Sequence, residues 1–354
     1  MGCELNAVCR DVEISVIVPC FNVEKFVRAA LESLLVQDFS NYELICVDDG
    51  STDGTATVLQ ELAEANPGTI RVIHKQNEGA WLARLDGIRA ASGRYIAFLD
   101  GDDTAEPHFL SSLHDAAVSS NADIAICGFR RVDQDGKVIS EEFCCDRNDI
   151  LLSSDPGRML EVNPAPWNKL FRRDVLMGLP SIDCCPVMFD DLSLLLLSYI
   201  NGVRAISFVP KCLVNYFVRN GSQINSVKPV QLDGARSVLL AVRSAYESEG
   251  AAGRFIEALA ATAFLHMGVS MTFRIISSSP DIVERELTKT RNYLDGNFPE
   301  WRKSRYLGFR YAITHGFAML RLWVASIAFK TGLLPVLLSL YGHLIAVTGK
   351  DLKW

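Results

Sequence analysis

Tyr95-Ile96-Ala97-Phe98-Leu99-Asp100-Gly101-Asp102-Asp103 is the stretch that decides how this chain is read. Tyr95 to Leu99 is aromatic and aliphatic without a polar interruption, as in a strand covered on both faces of a mostly parallel sheet. Three carboxylates then follow within four residues. A buried strand cannot hold that charge, so the acids project from its carboxyl end, where open α/β sheets bind ligands. Three clustered carboxylates repel unless a positive charge sits among them. A hard cation such as Mn²⁺ or Mg²⁺, itself carrying a phosphate, suits oxygen-only donors. The plainer alternative is an acidic turn capping a helix from Pro107. One carboxylate would fit that; three at the end of a buried strand point to a site.

Working outward, a second strand ends the same way. Glu43-Leu44-Ile45-Cys46-Val47 runs into Asp48-Asp49-Gly50-Ser51-Thr52-Asp53-Gly54. Upstream, Ile14 to Val18 is a β-prone run, expected to end at Pro19, which cannot donate to a ladder. From Val23 to Leu35 apolar residues recur at three and four, so a helix is expected there with Asn22 as its cap. A third strand, Ile70 to His74, leads into Asn77-Glu78-Gly79 and a helix carrying Arg84. Asp123 to Cys127 is a further strand, and Asp135-Gly136 marks a hairpin turn. This alternation predicts an α/β fold, a doubly wound and mostly parallel sheet with right-handed crossovers. Acids at two strand ends then meet at one edge. No dinucleotide, P-loop or nucleophile-elbow motif is present.

The later sequence is less regular. Pro166-Trp167-Asn168-Lys169-Leu170-Phe171-Arg172-Arg173 is compact, aromatic and basic. Phe189-Asp190-Asp191 opens a helix with Leu192, Leu195, Leu196 and Tyr199 on its apolar stripe and Asn201-Gly202 at its end. Adjacent acids at a helix start are usually dipole-stabilising caps, so Asp191 alone indicates little. Tyr216 to Ser222 is β-prone, and residues 229–297 read as helical.

The chain has 354 residues, 49% hydrophobic and 22% charged, enough to bury a large core. Its ten cysteines show no ligand spacing, so no zinc site is expected. Met1 to Asp11 has no apolar core, so a cytoplasmic protein with free thiols is expected. Residues 301–354 carry eight basic residues and one acid, a net +7, so residues 1–300 carry −14 and the chain as a whole −7. That acidic body argues against nucleic acid as a partner. The basic tail is nearly all apolar over Gly316 to Phe329, and Thr331 to Gly349 is nineteen residues without a formal charge. By length such a run could span a bilayer. Its interior Pro335, Gly342 and His343 and its basic flanks suit interfacial helices on anionic lipid better. Packing onto the protein or onto a second copy is the alternative, which leaves a homo-oligomer open.

Together these motifs resemble family-2 glycosyltransferases with the A-type nucleotide-sugar fold. The resemblance rests on Ser15-Val16-Ile17-Val18-Pro19-Cys20-Phe21-Asn22, Asp48-Asp49-Gly50-Ser51-Thr52-Asp53, Asn77-x-Gly79 with Ala83-Arg84, and Asp100-x-Asp102. Trp167-Asn168-Lys169-Leu170-Phe171, Asp190-Asp191 and Tyr216-x-x-Arg219-x-x-Ser222 continue it, so it covers about residues 13–225. It implies a transferase domain over 1–225, a helical extension over 226–300 and a membrane-associated tail over 301–354. It further implies that Pro19 and Asp49 contact the nucleobase, with Arg84 beside the nucleotide. Asp100 would face the ribose, and Asp102 would hold Mn²⁺ or Mg²⁺ with help from Asp100 and Asp103. Asp191 would be the general base of an inverting displacement. The donor implied is a nucleotide-sugar, a UDP-sugar first, and the acceptor a glycan or lipid-linked glycan at the inner face of the cell membrane. Leu85 and Asp190 depart from the family's frequent Asn and Glu; the first touches donor choice, the second keeps the charge. The competing reading is a non-catalytic member that binds a nucleotide-sugar or a partner enzyme as a scaffold.

Overall fold

The computed structural model describes residues 11–143, 149–218 and 229–348, with side chains as far as His343. Cys144-Cys145, Arg219, Ser222, Lys350 and Lys353 lie outside the described residues. Contacts gather the chain into two compact units. The first holds residues 1–149, 165–179 and 201–218; the second holds 150–164, 180–200 and 219–354. Segments 150–164 and 180–200 thus group with the helices beyond 229, and no division falls at 300.

The first unit is built on one sheet. Strands β1 (Ile14–Cys20), β2 (Tyr42–Asp49), β3 (Ile70–Lys75) and β4 (Tyr95–Phe98) run parallel in the order β3-β2-β1-β4. Helices α1 (Val27–Leu35), α2 (Thr55–Ala65) and α3 (Ala80–Ala90) alternate with them. Next come β5 (Thr104–Ala105), α4 (Phe109–Ser119), β6 (Ile124–Val132) and β7 (Val138–Glu142). The two-residue strand β8 (Ile150–Leu151) opens the second unit, and the chain returns to the first for β9 (Lys169–Arg172) and β10 (Ala205–Phe217). Beyond β4 the sheet is mixed. β9 lies antiparallel between β4 and β6, β6 pairs parallel with β10, and β10 pairs antiparallel with β5. The Asp135-Gly136 turn joins β6 to β7, with Gly136 at φ +76°.

Two local expectations are corrected. Pro19 does not end the first strand; it lies inside β1, paired with Val47. A proline is tolerated there because β4 stops opposite Ile17, so only one neighbour remains. Asn22 does not cap α1, which starts at Val27 after Phe26. Its φ of +52° turns it away, and its side-chain oxygen accepts from the Thr52 amide at 2.8 Å. The Gly54 amide likewise donates to Glu24 at 3.1 Å. The loops after β1 and β2 are therefore laced together.

The motif from Trp167 to Phe171 is core. Trp167 stacks on Tyr216 at 5.5 Å and meets Phe129 edge-on at 4.7 Å. Lys169 is fully buried, its ammonium donating to Ala165 O and to Asn168 Oδ1 at 2.8 Å. Buried Asp123 receives the amides of Arg204 and Ala205 at 2.6 and 3.0 Å and pairs with Arg172, tying the start of β10 to the end of β9.

The second unit is helical: α5 (Asp190–Ile200), α6 (Pro229–Ser248), α7 (Ala252–Ala263), a π-helical segment Phe264–Ser270, α8 (Met271–Ser278) and α9 (Val283–Asn297). Helices α10 (Phe309–Thr314), α11 (Phe317–Thr331) and α12 (Leu334–Thr348) follow. Phe264 stacks on Trp301 at 5.1 Å, and Phe329 meets both rings edge-on. All three are fully buried, so residues beyond 300 share the core built by the π-segment. Among the described residues one helix, Ala252–Ser278, is long and apolar enough to cross a membrane, and 72% of that window is buried inside the protein.

Where α3 crosses β1, packing overrides helix propensity. A Cβ on Gly87 would come within 2.4 Å of Ile17 Cγ2, on a β-branched side chain with a stiff χ1. Gly→Ala in an open helix stabilises by about 1 kcal/mol, whereas overpacking a core costs about 1–3 kcal/mol. Gly87→Ala should therefore destabilise by about 1–2 kcal/mol in chemical denaturation; a higher unfolding midpoint would contradict this packing.

Candidate functional site

Strand order reverses at β1. The chain leaves it toward β2 and β3 on one side and returns to β4 on the other. Loops that diverge in this way open a crevice at the carboxyl ends of the strands. Pro19, the Asp48-Asp49 pair and the Asp100–Asp103 turn stand at that edge, all in the first unit.

The acidic turn closes through the Asp103 amide, which donates to Asp100 O at 3.0 Å. It lies hard against β1. A Cβ on Gly101 would stand 3.2 Å from Cys20 Sγ and 3.3 Å from Pro19 O, so glycine allows the close approach. Arg84, buried on α3, donates to Asp100 Oδ1 at 3.1 Å. Asp102 is partly exposed at the turn. Asp103 is buried, with Oδ1 accepting from the Phe217 amide at the end of β10 at 2.9 Å. Burial pushes its carboxyl well above the usual range, the Asp100 charge adds to this, and the Phe217 amide opposes it.

Asp49 is held differently. Its two oxygens accept from the amides of Glu78 and Gly79 at 2.9 and 2.8 Å, at the mouth of α3. A carboxylate there is favoured by the helix dipole. The first unit thus brings Pro19, Asp49, Arg84, Asp100, Asp102 and Asp103 to one edge. Sequence reading passed over Asp48, whose oxygens accept from Ser51 N at 3.1 Å and face His74 Nδ1 at 3.0 Å. Its place beside Asp49 in the motif was the available signal.

Asp191 belongs to the second unit, in the first turn of α5. Phe189, just before the helix, has φ +66°, an uncommon conformation for a bulky residue. Its carbonyl accepts from Ser193 N and Oγ at 2.8 and 2.7 Å. Its ring meets His266, on the π-segment, edge-on at 5.8 Å. Burial pushes the His266 imidazole down to about 4, with Arg274 adding to the shift, so the ring is neutral at physiological pH. Nothing in the sequence marks this contact, because neither a left-handed phenylalanine nor a π-turn has a compositional signature.

The donor set fits a hard cation. Every donor on the turn is a carboxylate oxygen, and Asp103 Oδ2 is buried with no hydrogen-bond partner. Among the described residues no three His, Cys, Asp or Glu side chains converge as a ready cage. Mg²⁺ is usually held by one or two carboxylates plus substrate phosphates, so the turn suits a cation that shares its coordination with a diphosphate.

Residues 15–177 match the family model described as Glycosyl transferase family 2. The chain is 33% identical over 166 residues to the putative glycosyltransferase EpsH of Bacillus subtilis, covering 46% of this chain and 48% of that one. It is 40% identical over 122 residues to the uncharacterized glycosyltransferase EpsJ of the same organism, covering 34% and 35%. The chain thus spans half or less of these curated relatives. Among solved structures, S. aureus TarS 1–349 in complex with UDP superposes with a TM-score of 0.66 at 18% identity, over 97% of this chain and 93% of that one. The mannosyltransferase PcManGT of Pyrobaculum calidifontis, in complex with GDP-Man and Mn²⁺, gives 0.53 at 17% identity, over 96% and 88%. At such identities the likeness carries the fold, the A-type glycosyltransferase fold. The likeness to glycosyl transferase family 2 is thus carried by residues 15–177, somewhat less than half of the chain.

Proposed function

We propose that the protein is an inverting, metal-dependent glycosyltransferase that moves a hexose from a nucleotide-sugar to a glycan or lipid-linked acceptor, in cell-surface polysaccharide synthesis at the inner face of the membrane. The observation that carries the reading is the acidic turn at the switch point, with Arg84 on Asp100 and Asp49 at the mouth of α3. That edge offers carboxylates for ribose hydroxyls and a shared cation, and a buried arginine for the nucleotide. UDP-GlcNAc and GDP-Man are the donors to try first, because solved relatives of the fold carry UDP and GDP-Man.

In this reading Pro19 and Asp49 border the nucleobase, Arg84 steadies the nucleotide and Asp100 receives the ribose. Asp102 holds Mn²⁺ or Mg²⁺, with Asp100 and Asp103 beside it. The cation, when bound, offsets charge building on the departing diphosphate. Asp191 takes the proton of the acceptor hydroxyl as its oxygen bonds to the anomeric carbon. The bond from that carbon to the diphosphate breaks, and a nucleoside diphosphate leaves. One displacement inverts the anomeric configuration.

The overall test is release of nucleoside diphosphate from UDP-GlcNAc or GDP-Man with Mn²⁺, followed by the anomeric coupling constant of any product. Donor binding without release, under every acceptor tried, would favour the non-catalytic scaffold. Asp102→Ala should lose Mn²⁺-dependent donor binding in titration calorimetry and keep its unfolding temperature, since removing one of several like charges does not strain the apo turn. Unchanged metal-dependent binding would remove Asp102 from its role. Asp191→Asn should bind donor and metal normally yet lose about two to four decades in turnover, the usual contribution of positioned proton transfer. Near wild-type turnover would reduce Asp191 to a helix cap.

A further inference from the structure

The residue before α5 is held in a conformation that its own chemistry does not favour. Phe189 has φ +66°, in the left-handed region that a bulky side chain seldom enters. It also occupies the cap position, since its carbonyl accepts the first bond of α5 from Ser193 N at 2.8 Å. Residues there are ordinarily extended, and Ser, Thr, Asp or Asn by preference. Strained backbone of this kind persists only where the surroundings over-determine it, and such residues cluster at functional sites. Phe189 stands directly before Asp190 and Asp191 in the chain.

Two contacts hold it, one on its carbonyl and one on its ring. The carbonyl also accepts from the buried Ser193 Oγ at 2.7 Å. If Phe189 relaxed to negative φ, its carbonyl would swing away and that buried hydroxyl would lose its acceptor. The ring meets the His266 imidazole edge-on, with 5.8 Å between centroids and 67° between planes, an arrangement that aromatic pairs prefer. Burial, helped by Arg274, holds His266 at about 4, so it presents a neutral ring to Phe189. It lies in the π-helical segment two residues after Phe264, whose own ring stacks on Trp301 at 5.1 Å. The seat for Phe189 therefore hangs from the aromatic core, and all of these residues belong to the second unit. Wide turns of this type recur at functional sites.

We infer that Phe189, seated on His266, is a positioning residue for Asp191: the left-handed turn fixes the direction in which α5 starts, and so where its first-turn carboxylate stands. This rests on the proposed role of Asp191 as the base. Both rings act through the backbone, without meeting the reacting atoms. A reacting group misplaced by about 1 Å can lose about a hundredfold in rate, whereas donor and metal binding, assigned to the first unit, should not respond. Glycine enters the left-handed region about as readily as the right-handed one. Phe189→Gly thus removes the seated ring while leaving the native turn within reach.

The experiment has two arms, both on the full chain. In the first, hydrogen exchange at the Ser193 amide is followed by mass spectrometry without any substrate. His266→Ala should speed it by about two- to tenfold, the worth of one aromatic pair, and His266→Phe, which keeps a ring, should return it to the wild-type rate. In the second, release of nucleoside diphosphate is measured from UDP-GlcNAc and GDP-Man with Mn²⁺. Phe189→Gly and His266→Ala should each lower kcat by about ten- to a hundredfold at unchanged donor KM, and His266→Phe should restore it. In an Asp191→Asn background neither should cost more than about twofold, because residues acting as one unit do not add. Unchanged Ser193 exchange in His266→Ala would overturn the inference whatever the kinetics. So would losses that multiply with that of Asp191→Asn, a donor KM that moves in place of kcat, or a His266→Phe variant as slow as His266→Ala. Near wild-type turnover by Asp191→Asn would instead show that the base reading had failed, and the positioning role with it, while Ser193 exchange still reported the seat.

Discussion

A charge without partners cannot remain in a strand covered on both faces, and the first unit is arranged around that constraint. β1 and β4 are buried along nearly their whole length, so the carboxylates that follow β4 can reach water only past its carboxyl end. The reversal of strand order at β1 opens the crevice at that place. Each neighbour then has a narrow set of options. Gly101 must be small, because the turn lies on Pro19 O and Cys20 Sγ. Arg84 must come from α3, the helix whose mouth also holds Asp49.

Asp103 shows how closely the turn and the sheet are bound together. Its buried carboxyl holds the last residue of β10 by the Phe217 amide, so the strand added farthest in sequence is fastened to the acidic turn. Burial and the Asp100 charge both favour the neutral acid, while a bound cation would favour the anion. One side chain therefore couples sheet closure to the electrostatic state of the edge.

Much of the first unit was legible because its signals are local and redundant. Unbroken apolar runs gave β2 and β4, and strand-end acids gave the edge; in the second unit the apolar stripe after Phe189-Asp190-Asp191 gave α5. What escaped depended on partners distant in sequence. Pro19 sits inside a strand only because β4 stops opposite Ile17. Asn22 looks like a cap, but Thr52 offers it a better partner. Tyr95–Leu99 predicts a buried strand without revealing that β9, some seventy residues later, would be its antiparallel neighbour. Beyond residue 300, composition gave apolar helices with basic flanks. It could not say that Phe329 faces inward while Phe317 faces out, because α11 is apolar around its whole circumference.

The π-segment has a consequence for how this protein can vary. Each residue added to or removed from an α-helix rotates everything after it by about 100°. A wide turn absorbs extra chain locally, and here it does so between α7 and α8, where Ser270 Oγ reaches back five residues to Leu265 O. Tightening it by one residue would leave α7 untouched and turn the face α8 presents to its neighbours. The aromatic Phe264 is the first residue of that joint, next to α7, and His266 lies further within it. Length changes at this place would thus retune the contact on Phe189 while sparing the Trp301 stack, a route for sequence drift that neither helix offers on its own.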